Sequence, residues 1–218
     1  MFKKLTEEKG PEEPKKSDDA PINIMMPPPS EPELRTVAVF GDINEELSKD
    51  AVSGLWYLRS NAKTEEPVDP ENPETDFKEV IQPIEMIIST NGGNADEMFA
   101  IYDCMRIIRD EIDIETLGLG KVMSAGTLLL AAGTKGKRKV GKHCRVMIHS
   151  VIGGSVGPMH QLDNEMKEVK AIQESYIKAI CEETNLTERK LRSLLKKKVN
   201  IYLTAEEAVE HGFADIIV

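Results

Sequence analysis

Large aromatic side chains are scarce in this sequence, at 5% of 218 residues, and cysteine is limited to Cys104, Cys144 and Cys181. Three widely spaced cysteines make no disulfide framework and match no zinc pattern, so they read as reduced thiols of a cytoplasmic protein. No run of about eighteen apolar residues exists, so no membrane-spanning helix is expected. The opening MFKKLTEEKG has lysines with no apolar segment behind them and does not read as a secretory signal. Positive charge is in deficit: 28 Lys and Arg stand against 38 Asp and Glu, a formal net charge of −10. The basic run Lys196-Lys197-Lys198 is too short to reverse that balance, and no nucleic-acid partner is expected.

What is present suffices for one good-sized domain, or one domain with a tail, since 40% of the residues are hydrophobic. Residues 1–34 hold seven of the twelve prolines, many charges and few large apolar side chains besides Met25 and Met26. Such a segment cannot bury enough surface to offset its ordering entropy and reads as a mobile tail. It would be a solubilising leader or, in a sharper reading, a docking arm or removable propeptide. The domain is expected over 35–218, opening with a strand at Thr36–Phe40 closed by Gly41-Asp42. A helix follows with Leu47, Ala51, Leu55 and Leu58 on one face, capped by Asp42 or Asn44. Trp56 on it could be core or interface. The acidic, proline-bearing stretch 62–78 is expected to be a solvated surface loop. Ile84–Thr90 reads as a buried strand ending in Asn91-Gly92-Gly93, before a helix with Met98, Ile101, Met105 and Ile108 on one face.

The chain is organised around Thr116–Gly154. A strand over Ile112–Gly120 is expected to turn sharply at Gly118-Leu119-Gly120 into a short apolar helix over Ser124–Gly133, whose first exposed hydroxyl is Ser124. Ala125 and Gly126 let a carbonyl approach a helix start, where unpaired N–H groups favour negative charge. After a Gly-Lys-rich turn comes the strand Cys144–Ile148, with His149 at its end. One βαβ passage can bring such a serine and histidine together as a nucleophile and base. Ser124 as a helix cap and His149 as a satisfied strand-end histidine are the alternatives. His143, His160 and His211 read as solvated bystanders. Further on, Met159, Leu162, Met166, Val169, Ile172, Tyr176 and Ile180 form the apolar stripe of a long helix. A helix from Thr187, a strand at Asn200–Leu203, a helix from Ala205 with a Thr204–Glu207 capping box and an apolar strand over Phe213–Val218 complete the chain. Alternating strands and helices indicate an α/β fold with a largely parallel sheet.

The wording M-S-A-G, LLLAAGTKGKR, VMIH and GG, with STNGG upstream and YLTAEEAVEHGFAD downstream, closely resembles the proteolytic subunit of Clp protease (the ClpP family) from Val37 to Val218. That resemblance implies a crotonase-like superhelix of stacked ββα units with a protruding handle helix, the long helix just described. It implies Ser124 as nucleophile, His149 as base and the backbone N–H groups of Gly93 and Ala125 as oxyanion hole. An extended substrate would lie between the segment after Gly93, at Asn94, and the one at Ile152 and Gly153. No metal or cofactor is implied. Polypeptide substrates, a heptameric ring or double ring of identical subunits and an AAA+ unfoldase are the expected partners. The chain departs from the family in four places. Asn91 replaces a proline and Asn200 replaces the third, aspartate member of the triad. Lys198 and Val199 replace an Asp–Arg pair that links rings. The N-terminal region carries no recognisable axial loops. Three functions follow: a self-compartmentalising serine endopeptidase with a Ser–His–Asn triad, a catalytically weak structural or regulatory subunit of mixed rings, or a crotonase-like enzyme acting on acyl-thioesters. Intact Ser124 and His149 favour the first over the third, and Asn200 is what raises the second.

Overall fold

The computed structural model of the chain describes residues 34–72, 75–197 and 199–218. The expected tail over 1–34 therefore lies outside the described residues except for Leu34, as does Lys198. Strand β1 (Thr36–Ile43) buries Val37, Val39 and Ile43 and runs past Phe40, with a register shift at Gly41/Asp42. Helix α1 (Glu45–Ser60) is capped by Asn44, whose Oδ1 accepts from Leu47 N at 2.9 Å, and it buries Ser48, Ala51, Leu55 and Leu58. Trp56 is partly exposed under the Arg59 guanidinium, 4.8 Å from its ring centroid.

Most of the described residues of 62–78 are exposed, although Ala62 is in the core, and much of the stretch is not a loop. Strands β2 (Lys63–Pro67) and β3 (Phe77–Ile81) pair antiparallel as a separate hairpin. Its acidic, proline-bearing composition hides it, because cross-strand pairs such as Lys63 with Glu79 carry it rather than a buried face. Arg35 grips its base, donating to the carbonyls of Leu58, Asn61, Gln82 and Pro83.

The rest builds one seven-stranded sheet. Strand β4 (Ile84–Gly93) lies between β1 and β5 (Ile114–Met123), parallel to both. Helix α2 (Ala95–Arg109) returns the chain between them, burying Met98, Ile101, Met105 and Ile108. Strand β5 does not end at Gly120. Gly120 adopts φ 64°, and the register against β4 slips from Ile88 opposite Gly118 to Thr90 opposite Val122. At this bulge the strand changes partner. Its first half pairs with the short β6 (Lys139–Val140), its second half with β7 (Arg145–Ile148). Strand β9 (Ile216–Ile217) adds to β6, and β8 (Ile201–Leu203) is the one antiparallel member, on β7. The expected terminal strand is thus only two residues, while Phe213 packs in the core.

Helix α3 (Ala125–Ala131) is buried along its whole length, as its largely apolar composition requires, with Thr127 its one polar side chain. Helix α4 (Met159–Glu183) is buried only towards its C-terminus, at Tyr176, Ile177, Ala179, Ile180 and Glu183. Helix α5 (Glu188–Leu195) and helix α6 (Ala205–Glu210) follow, the latter with its Thr204–Glu207 capping box formed. His211 at its end is half-buried rather than exposed. No helix among the described residues is long and apolar enough to cross a membrane.

The base of α4 is fixed by charge. The Glu183 side chain, 2% exposed, receives a two-pronged pair from Arg109 at 2.7 and 2.8 Å and the Tyr102 hydroxyl at 2.9 Å. Lys135 and Arg138 donate to its backbone carbonyl. Burial pushes the carboxyl up, but Arg109, Tyr102 and Lys135 outweigh it and hold the carboxyl below its ordinary value. A depressed carboxyl stabilises the fold at neutral pH, and that contribution is lost as pH falls through its native value. Glu183→Gln is expected to lower stability by about 2–4 kcal/mol, because it leaves the partly buried Arg109 without its counter-charge. Urea unfolding checks this, and the variant's stability should fall less steeply on acidification. A loss below about 1 kcal/mol would show that the pair contributes little.

Candidate active site

Ser124 follows the end of β5 directly and precedes α3. It has φ 54° and ψ −120°, and no other non-glycine residue among those described has positive φ. Such geometry is strained and occurs where the surroundings impose it. Here Ser124 N–H donates to Met147 O at 2.7 Å, tying the turn to β7, and Ser124 O accepts from Thr127 N at 3.0 Å. The side chain makes no capping bond to α3, so the helix-cap alternative does not describe this serine. A serine on a tight strand-to-helix turn presents its hydroxyl outward, as nucleophile elbows do.

The glycine pair faces this turn. A Cβ on Gly92 would stand 2.6 Å from Ser124 Cβ and 3.1 Å from Ala125 N, and one on Gly93 would stand 2.1 Å from Ile43 O. Gly92 therefore leaves room for the serine turn, while Gly93 lets β4 pass tightly against β1. Sequence reasoning singled out Gly93 and missed Gly92, since which glycine meets Ser124 depends on strand register.

Ser124, Ala125, Gly93, Asn94, His149, Ile152 and Gly153 all line one open cavity of about 660 Å³, together with Met98, Val169, Ile172 and Tyr176. His149 Nδ1–H donates to the Ser150 carbonyl at 2.6 Å, which leaves Nε2 as the acceptor nitrogen. No hydrogen bond joins Ser124 Oγ to the imidazole among the described residues. Such bonds are commonly long in unliganded sites and tighten with substrate.

Asn200 does not line this cavity. Ile148 pairs with Ile201 as the last rung between β7 and β8, and His149 and Asn200 are the next residues beyond it. Both line a smaller adjoining cavity of about 200 Å³. Asn200 is exposed and makes no side-chain hydrogen bond among the described residues, and the bond at His149 Nδ1 goes to the Ser150 carbonyl.

The backbone and Oδ1 of Asn94 are engaged within the fold. Its N–H bonds Ile43 O at 2.9 Å, its side chain caps α2 through Asp96 N at 2.8 Å, and its carbonyl accepts from Met98 N. Ile152, Gly153 and Gly154 differ, having no backbone hydrogen bond within the described residues. Just before them, Gln173 Oε1 accepts from Val151 N at 2.7 Å. This run of unpaired main chain beside Ser124 suits an extended peptide, which adds to such an edge through backbone bonds. Chemically, the cavity combines an outward serine hydroxyl, an imidazole with its acceptor nitrogen free and a helix start rich in N–H groups. Acyl transfer needs those three parts.

The sequence model of the Clp protease family matches residues 75–218, a span that includes every residue lining the cavity.

Proposed function

Because the chain belongs to the Clp protease family, we propose that it is a serine endopeptidase that hydrolyses peptide bonds of unfolded proteins or short peptides inside an oligomeric ring chamber. Ser124 Oγ attacks the peptide carbonyl while His149 Nε2 takes its proton. The N–H groups of Gly93 and Ala125 receive the oxyanion. His149 then returns the proton to the leaving amine, and water hydrolyses the acyl-serine by the same steps in reverse. The observation that carries this reading is the strained Ser124 turn, whose side chain serves no cap and opens into the cavity that His149 lines. Substrate lies along Ile152 and Gly153 with Asn94 at the flank. Main-chain pairing supplies affinity with little regard to sequence.

The ring rests on α4 and the segment before it. Met159 is 77% exposed, Met166 50% and Val156 98%. Exposed apolar side chains grouped in this part of the chain suit an interaction site, and further copies of the chain would cover them. An AAA+ unfoldase would deliver substrate in the cytoplasm. The second reading, a catalytically weak subunit of a mixed ring, draws on one observation: Asn200 makes no bond to His149.

A fluorophosphonate probe tests the reaction. The adduct is expected on the peptide containing Ser124 when the labelled protein is digested and mapped, and an adduct on any other serine would defeat the assignment. Native mass measurement should give a heptamer or its double. A monomer at micromolar concentration would rule out the chamber.

A further inference from the structure

We infer that Tyr176 and Thr127 are positioning residues that aim the Ala125 N–H into the oxyanion site, an inference that rests on the assignment of Ser124 as nucleophile. The Ser124–Ala125 peptide group has two ends with different tasks. Its carbonyl accepts from Thr127 N at 3.0 Å and from Thr127 Oγ1 at 2.7 Å. Its N–H donates to nothing among the described residues and sits where Ser124 and Ala125 line the cavity. A trans peptide is planar, with C=O and N–H pointing in opposite directions. Whatever holds the carbonyl therefore sets the direction of the donor.

The direction of the hydrogen bonds is determined. A carbonyl only accepts, so the single hydroxyl proton of Thr127 is committed to Ser124 O. The Tyr176 hydroxyl, 2.9 Å from Thr127 Oγ1, must then be the donor in that contact. The result is a chain from Tyr176 O–H through Thr127 O–H to the Ser124 carbonyl. It starts on α4 and ends on the nucleophile's own peptide. Thr127 is fully buried and Tyr176 nearly so, hence water does not compete for these bonds. Burial pushes the phenol up to about 12, with the Thr127 bond acting weakly the other way, so Tyr176 keeps its proton throughout the neutral range. Donation into a carbonyl also polarises the attached N–H, and bonds in series reinforce one another in a dry setting. Both effects strengthen the Ala125 donor when charge develops on the substrate oxygen.

Two hydroxyls that merely satisfied each other would affect stability alone. Positioning predicts a split between kcat and KM. In the full chain, Tyr176→Phe and Thr127→Val are each expected to lower kcat for a peptide substrate by about 5- to 30-fold, a fraction of the 10²–10³ associated with losing an oxyanion donor outright. KM should stay within about twofold. Thr127→Ser keeps the hydroxyl and should retain most of the turnover. The double variant should be no slower than Thr127→Val, because the two groups act in series. An unchanged kcat in Tyr176→Phe, or additive losses in the double variant, would overturn the inference.

A second measurement does not depend on turnover. Ser124-Ala125 is the chain's only Ser-Ala dipeptide. Labelling serine with ¹³C at the carbonyl and alanine with ¹⁵N therefore gives a single carbonyl–amide correlation, from this peptide. Thr127→Val should move its carbonyl resonance upfield, and Tyr176→Phe should move it the same way by less. A resonance that stays in place in both variants overturns the relay. Peptide turnover that persists in Ser124→Ala instead strikes the nucleophile assignment, and the carbonyl shift still decides whether the relay exists.

Discussion

Ser124→Gly should abolish peptide turnover, by about 10⁴-fold or more, and yet leave a protein more stable than the wild type by about 1 kcal/mol. The first effect follows from losing the hydroxyl that forms the acyl bond. The second follows from backbone geometry. Ser124 holds φ 54° with ψ −120°, a conformation that is strained for a residue bearing a Cβ, at about 1–3 kcal/mol. Glycine adopts positive φ freely, and the greater freedom of its unfolded chain takes back about 0.5–1 kcal/mol. Ser124→Ala provides the control. It removes the same hydroxyl but keeps the Cβ, so its stability should stay close to that of the wild type while its turnover is equally lost. Denaturant midpoints of the three proteins, measured beside peptide turnover, test both halves. If Ser124→Gly were less stable than Ser124→Ala, the turn would be relaxed, and the argument that function imposes this geometry would fail.

Much of the frame was legible in the sequence because it rests on local rules. The stripe Ala51, Leu55 and Leu58, the buried alternation of β1 and β4 and the Thr204–Glu207 box each follow from periodicity or capping. Ser124 and His149 could be placed at a helix start and a strand end by the same local rules, while their expected roles came from the family resemblance. What stayed hidden depends on register. The choice between Gly92 and Gly93 is made by the slip at Gly41/Asp42 in β1 and by the bulge around Gly120 in β5. The β2–β3 hairpin has neither a buried face nor a typical strand composition, so only its pairing reveals it. The hold of the Ser150 carbonyl on His149 escaped notice because backbone carbonyls carry no sequence signature. Thr127 alone offered a local hint, since a threonine three residues after a strained serine can bond back to it. Tyr176 lies on another element and could be found only in three dimensions.

Asn200→Asp should raise peptide turnover by tenfold or more, and at most by about 10⁴-fold, the ratio by which an Asp-to-Asn change lowers activity in the trypsin-type triad. Position 200 and His149 follow directly on the last β7–β8 pair, Ile148 with Ile201, and line the same small cavity. The tautomer needs no help, because Nδ1–H already donates to the Ser150 carbonyl and leaves Nε2 free to take the serine proton. What the site lacks is negative charge to stabilise the imidazolium that forms as that proton arrives. A neutral amide cannot supply it, and neighbouring Val199 and Ile201 cannot either. Asn200→Ala should lower turnover by less than about tenfold, given that the carbonyl continues to orient the ring. Should Asn200→Asp leave turnover where it is in the wild type, position 200 does not face the imidazole, and a carboxylate there has no charge to stabilise.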